Sequence, residues 1–373
     1  MLASLGARTR VAAMLLVGAG AVGACAGRGF GEGEVVFGAA GPWSEGYGAM
    51  NKRGIELAVA EINAAGGIHG RRLRLLARDD DGSGEKATSI AQEFVANADV
   101  VAVVGHVNSG AMVAAARMYD GHLVSLATTA TSPDLSGISP WVFRVISSDS
   151  ANGLTIARFA RRLGRKRAAI LYENNAYGRG LTESFRRNFD AEVVSVDPIS
   201  EDTRDCEPYV AFLKRYSPDV VFVAGTERSG IAVLREARRQ GLRADFVGGD
   251  GWTGIVDDTA AAEGAYVAAP FTAEDPRPDA RRFVSAFRQR YHGLSPDGNA
   301  ALAYDATMLL ARAVTERGTD RAAVRDYLAS LARGAGYPGV TGAIRFEPSG
   351  DPLGRGMVMT RVERGALTMA EAR

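Results

Sequence analysis

From Glu34 to the C-terminus, short apolar runs alternate with stretches whose apolar residues recur every three or four positions. Residues 35–39, 73–77, 123–127 and 141–145 read as strands. Residues 100–104 are apolar throughout, as expected of a parallel strand covered on both faces. Between these runs, Ile55, Ala58, Val59 and Ile62 mark one helix face, stopped by Gly66-Gly67, and Ile90, Ala91, Phe94 and Val95 mark another. The alternation restarts with a helix over 154–163 and a strand over 168–172. It continues as helix 181–189, strand 192–196, helix 209–216, strand 220–224, helix 231–240, and strands 246–248 and 266–269. Past Pro270 the pattern is mainly helical, over 280–291, 300–316 and 322–332. Residues 342–346 and 358–362 close the chain as strands, with a hairpin as one possible pairing. Two strand–helix series predict an α/β protein of two doubly wound lobes with parallel sheets, and a cleft at the carboxyl ends of their strands.

A length of 373 residues suits two cores better than one. The net charge of +1 gives no electrostatic basis for binding nucleic acid or an acidic membrane surface. No short period recurs, which excludes solenoids and propellers. The two cysteines are Cys25 and Cys206. Cys25 ends the leader described next, so the folded part has neither an internal disulfide nor a cysteine-based metal site.

Arg8 and Arg10 precede an apolar stretch over 11–22, followed by Gly23, Ala24 and Cys25. This basic, apolar, small-residue order is that of a secretory signal over 1–24. A dozen apolar residues reach about 18 Å as a helix, short of the ~30 Å hydrocarbon core. Val22-Gly23-Ala24-Cys25 is similar to a bacterial lipobox, which implies lipidation of Cys25; simple cleavage near Ala24 or Ala26 is the alternative. Gly18-Ala19-Gly20-Ala21-Val22-Gly23 satisfies G-x-G-x-x-G, but no amphipathic helix follows it, so it is not read as a dinucleotide loop.

The stretch 34–81 resembles the branched-chain amino-acid-binding proteins, which have the type I periplasmic binding protein fold and serve ABC importers. The likeness is carried by Gly41-Pro42, Gly54-Ile55-Glu56-Leu57-Ala58 and Glu61-Ile62-Asn63-Ala64-Ala65-Gly66-Gly67-Ile68-His69-Gly70. It continues through Val104-Gly105-His106-Val107-Asn108-Ser109, Ala130-Thr131-Ser132-Pro133-Asp134-Leu135, residues 172–178 and Gly248-Gly249-Asp250-Gly251. The resemblance implies a hinge of three crossovers, with one lobe formed by 34–147 and 272–338 and the other by 148–271 and 339–370. It also implies an exported protein, periplasmic or on the outer face of a bacterial membrane and lipid-anchored through Cys25. Its partners would be a small-molecule ligand, expected to be an amino acid, and an ABC permease.

A free amino acid presents a carboxylate and an ammonium on one carbon, so its site needs donors on one side and acceptors on the other. Ser109 leads into a helix beginning near Gly110, where its hydroxyl and the free helix amides suit a carboxylate; the sequence alone favours an ordinary N-cap serine. Thr131 lies in a small-residue loop stiffened by Pro133, and Asp250 in an Asp-Gly turn. The resemblance assigns Ser109 and Thr131 to the carboxylate, the Thr129 carbonyl and Asp250 to the ammonium, and Tyr177 to an aromatic that closes over the ligand. Thr226 takes a place held by tyrosine in some members, which implies a different pocket wall. Trp43, Tyr47 and Trp252 are candidates to cap the side-chain end.

Two readings compete with transport. A sensor of the same fold would bind amides, urea or aromatic acids, and an exported α/β enzyme would need a nucleophile–base pair or a cofactor loop. The residues after the leader show no G-x-S-x-G elbow, and His69, His106, His122 and His292 are scattered. His106 is read as a strand-end turn residue rather than a general base. Asp79-Asp80-Asp81-Gly82-Ser83-Gly84 fails the calcium-loop frame because Ile90 stands twelfth from Asp79. No catalysis, cofactor or metal is expected.

Overall fold

The computed structural model describes residues 33–370; the expected leader and Cys25 lie outside the described residues. The first sheet has the order β2-β1-β3-β4-β5. Its strands are β1 (Glu34–Gly41), β2 (Arg72–Asp79), β3 (Val100–Val104), β4 (Ser125–Ala127) and β5 (Val142–Arg144), all parallel. Strand alternation sends Val35, Phe37 and Ala39 to one face and Val36 and Ala40 to the other. The first face packs under α1 (Gly46–Ala64), and the second under α2 (Gly84–Ala96) and α3 (Ser109–Tyr119).

The second sheet begins after α4 (Asp149–Arg162). Its parallel part comprises β6 (Arg167–Glu173), β7 (Glu192–Ile199), β8 (Val220–Ala224), β9 (Asp245–Gly248) and β10 (Tyr266–Ala269), separated by α5 (Ala176–Asn188), α6 (Glu207–Tyr216), α7 (Glu227–Gln240) and the short α8 (Thr259–Ala262). On β6, Ala168 and Ile170 pack with Ile156, Leu181 and Phe185, while Ala169 and Leu171 face Val210, Val233 and Leu234. Both sheets are therefore covered on two faces, which is why their central strands carry no polar alternation.

The chain then returns to the first sheet as α9 (Pro278–Arg290), α10 (Gly298–Arg317) and α11 (Arg321–Ser330). In α10, Leu302, Ala306 and Leu309 join the first-sheet core while Ala300, Ala301 and Tyr304 join a cluster with α9 and Leu57 and Ala58 of α1. Being covered on several sides, α10 has little amphipathic contrast. The closing strands do not pair with each other: β12 (Gly342–Ile344) pairs with β11 (Tyr337–Gly339). Strand β13 (Val358–Glu363) pairs antiparallel with β10 and with β14 (Ala366–Met369), completing the order β14-β13-β10-β9-β8-β6-β7. Residues 342–353 run beside β5, with the Phe346 ring 5.0 Å from Phe143 and Arg144 Nε donating to Asp351 Oδ1 at 2.7 Å.

Candidate ligand-binding cleft

In each sheet the strand order reverses direction, between β1 and β3 in one and between β6 and β8 in the other, opening a crevice at the carboxyl ends of the strands. Tyr47 follows β1, Ser109 follows β3, and Thr129 and Thr131 follow β4. Tyr177 follows β6, Thr226 follows β8 and Asp250 follows β9. One pocket between the two sets holds about 600 Å³, its solvent-open side included, and is lined by Tyr47, Ser109, Thr129, Tyr177, Thr226 and Asp250 among others. The size is ordinary for a small-molecule site.

The donor side is built on α3. Asn108 is the N-cap, and the first intrahelical donor is the Met112 amide, so the earlier amides have no helical acceptor. Asn108 makes no side-chain cap; its Nδ2 donates to the Tyr47 hydroxyl at 2.9 Å. Ser109 is the first helical residue rather than the cap. Its Oγ accepts from the amides of Thr131 and Ser132, each at 3.1 Å, which leaves the hydroxyl proton free to be donated. Thr131 is fully buried behind Ser109, and its hydroxyl has no partner. Thr129 donates its hydroxyl to the Val107 carbonyl at 3.3 Å.

Two buried carboxylates stand near this side: Asp250 lines the pocket, and Asp149 lies behind its wall beside Thr131. The Tyr177 hydroxyl donates to Asp250 Oδ1 at 3.1 Å and accepts from the Gly251 amide at 3.1 Å. Burial pushes the Asp250 carboxyl up to about 6, against the opposing pull of its own backbone amide and of Tyr177. Asp149, in the first turn of α4, is fully buried, and neither of its side-chain oxygens has a partner. Burial, and then the nearby Asp250 charge, hold it well above the usual carboxylate range; Thr131, Arg144 and Asn152 offset only part of this. Asp149 was not singled out from the sequence, where Ser148-Asp149 reads as an ordinary helix start with an acid in its first turn. Its fixed place comes from its amide, which donates to the Thr131 carbonyl at 2.9 Å.

Two aromatic candidates lie elsewhere. Trp252 is fully buried in the second-sheet core, so closely packed that a Cβ on Gly248 would come within 2.0 Å of its ring. Trp43 packs against the first-sheet core with Lys52 Nζ 5.9 Å from its ring centroid. Neither lines the pocket. Asn175, Glu201 and Asn299 do, and were not anticipated. Asn175 caps α5 by accepting from the Gly178 amide at 2.8 Å, a signal hidden in Asn174-Asn175. His106 is buried, with Nδ1 2.6 Å from Asp80 Oδ2 and Nε2 2.9 Å from the Tyr119 hydroxyl. Asp80 also accepts from the Gly82 amide at 2.9 Å, so this triad shapes the loop beside the pocket.

The sequence profile of the family described as periplasmic binding protein matches residues 35–366. The chain belongs to that family. This family is extracytoplasmic, binds solutes for membrane transport, and is not one of enzymes. A Leu/Ile/Val-binding protein homolog 1 of Brucella abortus is 26% identical over 330 residues, covering 86% of this chain and 87% of the relative. An ABC transporter substrate-binding protein of Desulfitobacterium hafniense, solved with Leu, has a TM-score of 0.78 at 32% identity, covering 90% of this chain and all of that one. The branched-chain amino acid transporter substrate-binding protein of Streptococcus pneumoniae, solved with isoleucine, has a TM-score of 0.83 at 27% identity, covering 91% and 99%. The two-lobed fold and the family expected from the motifs are thus confirmed.

Proposed function

We propose that this family member binds an α-amino acid between its lobes and delivers it to an ABC permease, without catalysis. The observation that carries the reading is the pairing of a free hydroxyl and helix amides at Ser109 with the buried Asp250 carboxylate across the same pocket, behind which Asp149 adds a second acidic group. An anion fits the first and a cation the second. Like charges buried together repel, so the empty site is costly on its acidic side and a zwitterion relieves it. Thr131 backs the carboxylate end, the Thr129 carbonyl serves the ammonium, and Tyr177 covers it beside Asp250. The relatives solved with leucine and isoleucine support an amino acid as the class.

We place the lobe crossings near residues 147, 271 and 339. Closure then joins Ser109, Thr129 and Thr131 of one lobe to Tyr177, Thr226 and Asp250 of the other, so a ligand touching both favours the closed form. Thermal-shift screening of the leaderless chain is the test. A millimolar amino acid of micromolar affinity adds about 4 kcal/mol of stability. Shifts with amides, urea or aromatic acids but with no α-amino acid would overturn the amino-acid reading. Lipid anchoring at Cys25 is part of the proposal, motivated by the lipobox-like Val22–Cys25 stretch: the protein extracted from membranes should begin at a diacylglyceryl-modified Cys25 by mass spectrometry. An unmodified N-terminus after Ala24 or Ala26 refutes it.

A further inference from the structure

On the amino-acid reading, the zwitterion would fill only one end of the cleft. The other is walled by Tyr47, Asn108, Asn175, Glu201 and Thr226, with Val107 as the sole aliphatic side chain lining the pocket. We propose that this end selects an amino acid whose side chain terminates in a cation, and that Glu201 receives it. The inference rests on the amino-acid reading above.

Glu201 follows β7, and its Oε1 accepts from Asn175 Nδ2 at 2.6 Å. Asn175 is itself fixed, because its Oδ1 accepts from the Gly178 amide while its Nδ2 also reaches Glu173 Oε2 at 3.2 Å. The Glu201 carboxylate is thus held at the pocket wall with acceptor capacity to spare. Glu173 lies fully buried behind it and accepts from the Thr226 amide and hydroxyl and from the Ser229 hydroxyl, at 2.9, 2.7 and 2.8 Å. All of its partners are neutral.

Cations are missing from this wall. The pocket lining contains neither Lys nor Arg, and Arg228 at the rim is engaged by both oxygens of Glu45 at 2.7 Å. The Asn108 Oδ1 atom is buried without a partner. Burial and the charges of Glu45, Glu173 and Glu201 together raise the Tyr47 hydroxyl far above its ordinary value, so the negative field extends across the pocket end. No group of three or more His, Cys, Asp or Glu among the described residues is placed to hold a metal.

An isobutyl or sec-butyl group placed here would take Asn108, Asn175, Thr226 and Glu201 out of water with nothing to pair them, which costs affinity. A neutral amide would supply donors but leave the charge of Glu201 uncompensated. An ammonium or guanidinium supplies both.

The test is isothermal titration of L-lysine, L-ornithine, L-arginine, L-glutamine and L-leucine into the wild-type protein and into Glu201→Gln. Glu201 is exposed enough that the substitution leaves folding intact. The expected result is at least one basic amino acid bound about tenfold tighter than leucine and glutamine, with that preference lost in Glu201→Gln. Leucine or glutamine binding tighter than every basic amino acid overturns the inference and leaves the amino-acid reading standing. So does an unchanged basic preference in Glu201→Gln. Binding of none of the five, with another compound class bound instead, overturns the parent reading.

Discussion

At the scale of single residues, Ser109 does two things with one oxygen. Its lone pairs receive the amides of Thr131 and Ser132, and its proton remains for the ligand. Ser109→Ala therefore removes a charge-assisted hydrogen bond to the ligand and leaves two buried amides without an acceptor. The expected loss is about tenfold or more in affinity, together with about 1–3 kcal/mol of stability in urea denaturation. Loss of affinity with unchanged stability would show that the two amides find other partners. The role of Ser109 was open to the sequence because a hydroxyl before a helix means a cap in most settings. What separates the readings is the loop 131–132, brought to it across 22 residues of chain. Asp149 was invisible for the same reason, since its importance lies in the neighbouring charge of Asp250 and not in its own segment. Trp252 erred in the opposite direction. It neighbours Asp250 in sequence, but its side chain turns into the core, and sequence proximity to a site residue carries no direction.

At the scale of elements, legibility follows how completely burial dictates composition. β3 and β8 are buried at every position, and their uninterrupted apolar runs identify them without ambiguity. β4 and β5 have only three residues each and are recognised chiefly because they fill a gap in the alternation. The Gly54 motif was legible as a family signature, and its physical cause is the packing of α1 on α10: a Cβ at Gly54 would lie 2.1 Å from the Ala300 carbonyl oxygen. This approach brings α10 back onto the first sheet, so a local glycine encodes a contact nearly 250 positions away. Pairing of the final strands was not encoded locally. β13 is matched to β10, whose open edge exists only after the second sheet has formed, while β12 takes its partner from the adjacent β11.

At the scale of the whole molecule, contacts across the cleft lie at its rim as well as in its pocket. Arg228 at the start of α7 grips Glu45 just before α1, and the neighbouring Glu227 carboxylate lies against Gly46 and Gly254, where an added Cβ would come within 2.2 and 1.7 Å of its oxygens. Thr253 accepts from Asn299 Nδ2 at 3.0 Å. Burial raises the Glu227 carboxyl to about 7, and Asp297, Asp257 and Glu45 facing it add to the rise. On the proposed closure, opening the cleft would return Glu227 to water and toward its ordinary value near 4.5, so closing would take up a proton between those limits. Closure is therefore favoured at low pH, weakens as pH rises from about 4.5 to about 7, and is level above that. Asp250 pulls the other way: with no cation beside it, it titrates at about 6, and a bound ammonium lowers that value, so binding releases a proton and affinity falls as pH drops through 6. The two effects offset each other between about 4.5 and 6, so the acid limb is masked there, the alkaline limb shows as a fall between about 6 and 7, and the wild-type affinity is level above 7. Titration calorimetry from pH 5 to 8 separates them, because Glu227→Gln is neutral throughout and should flatten the alkaline limb while unmasking the acid one. Asp250→Asn should lose the acid limb along with about ten- to a hundredfold in affinity at pH 7. An alkaline limb that persists in Glu227→Gln would mean that the rim does not take up the proton on closing, and that the pH response of the cleft resides in Asp149 and Asp250 alone.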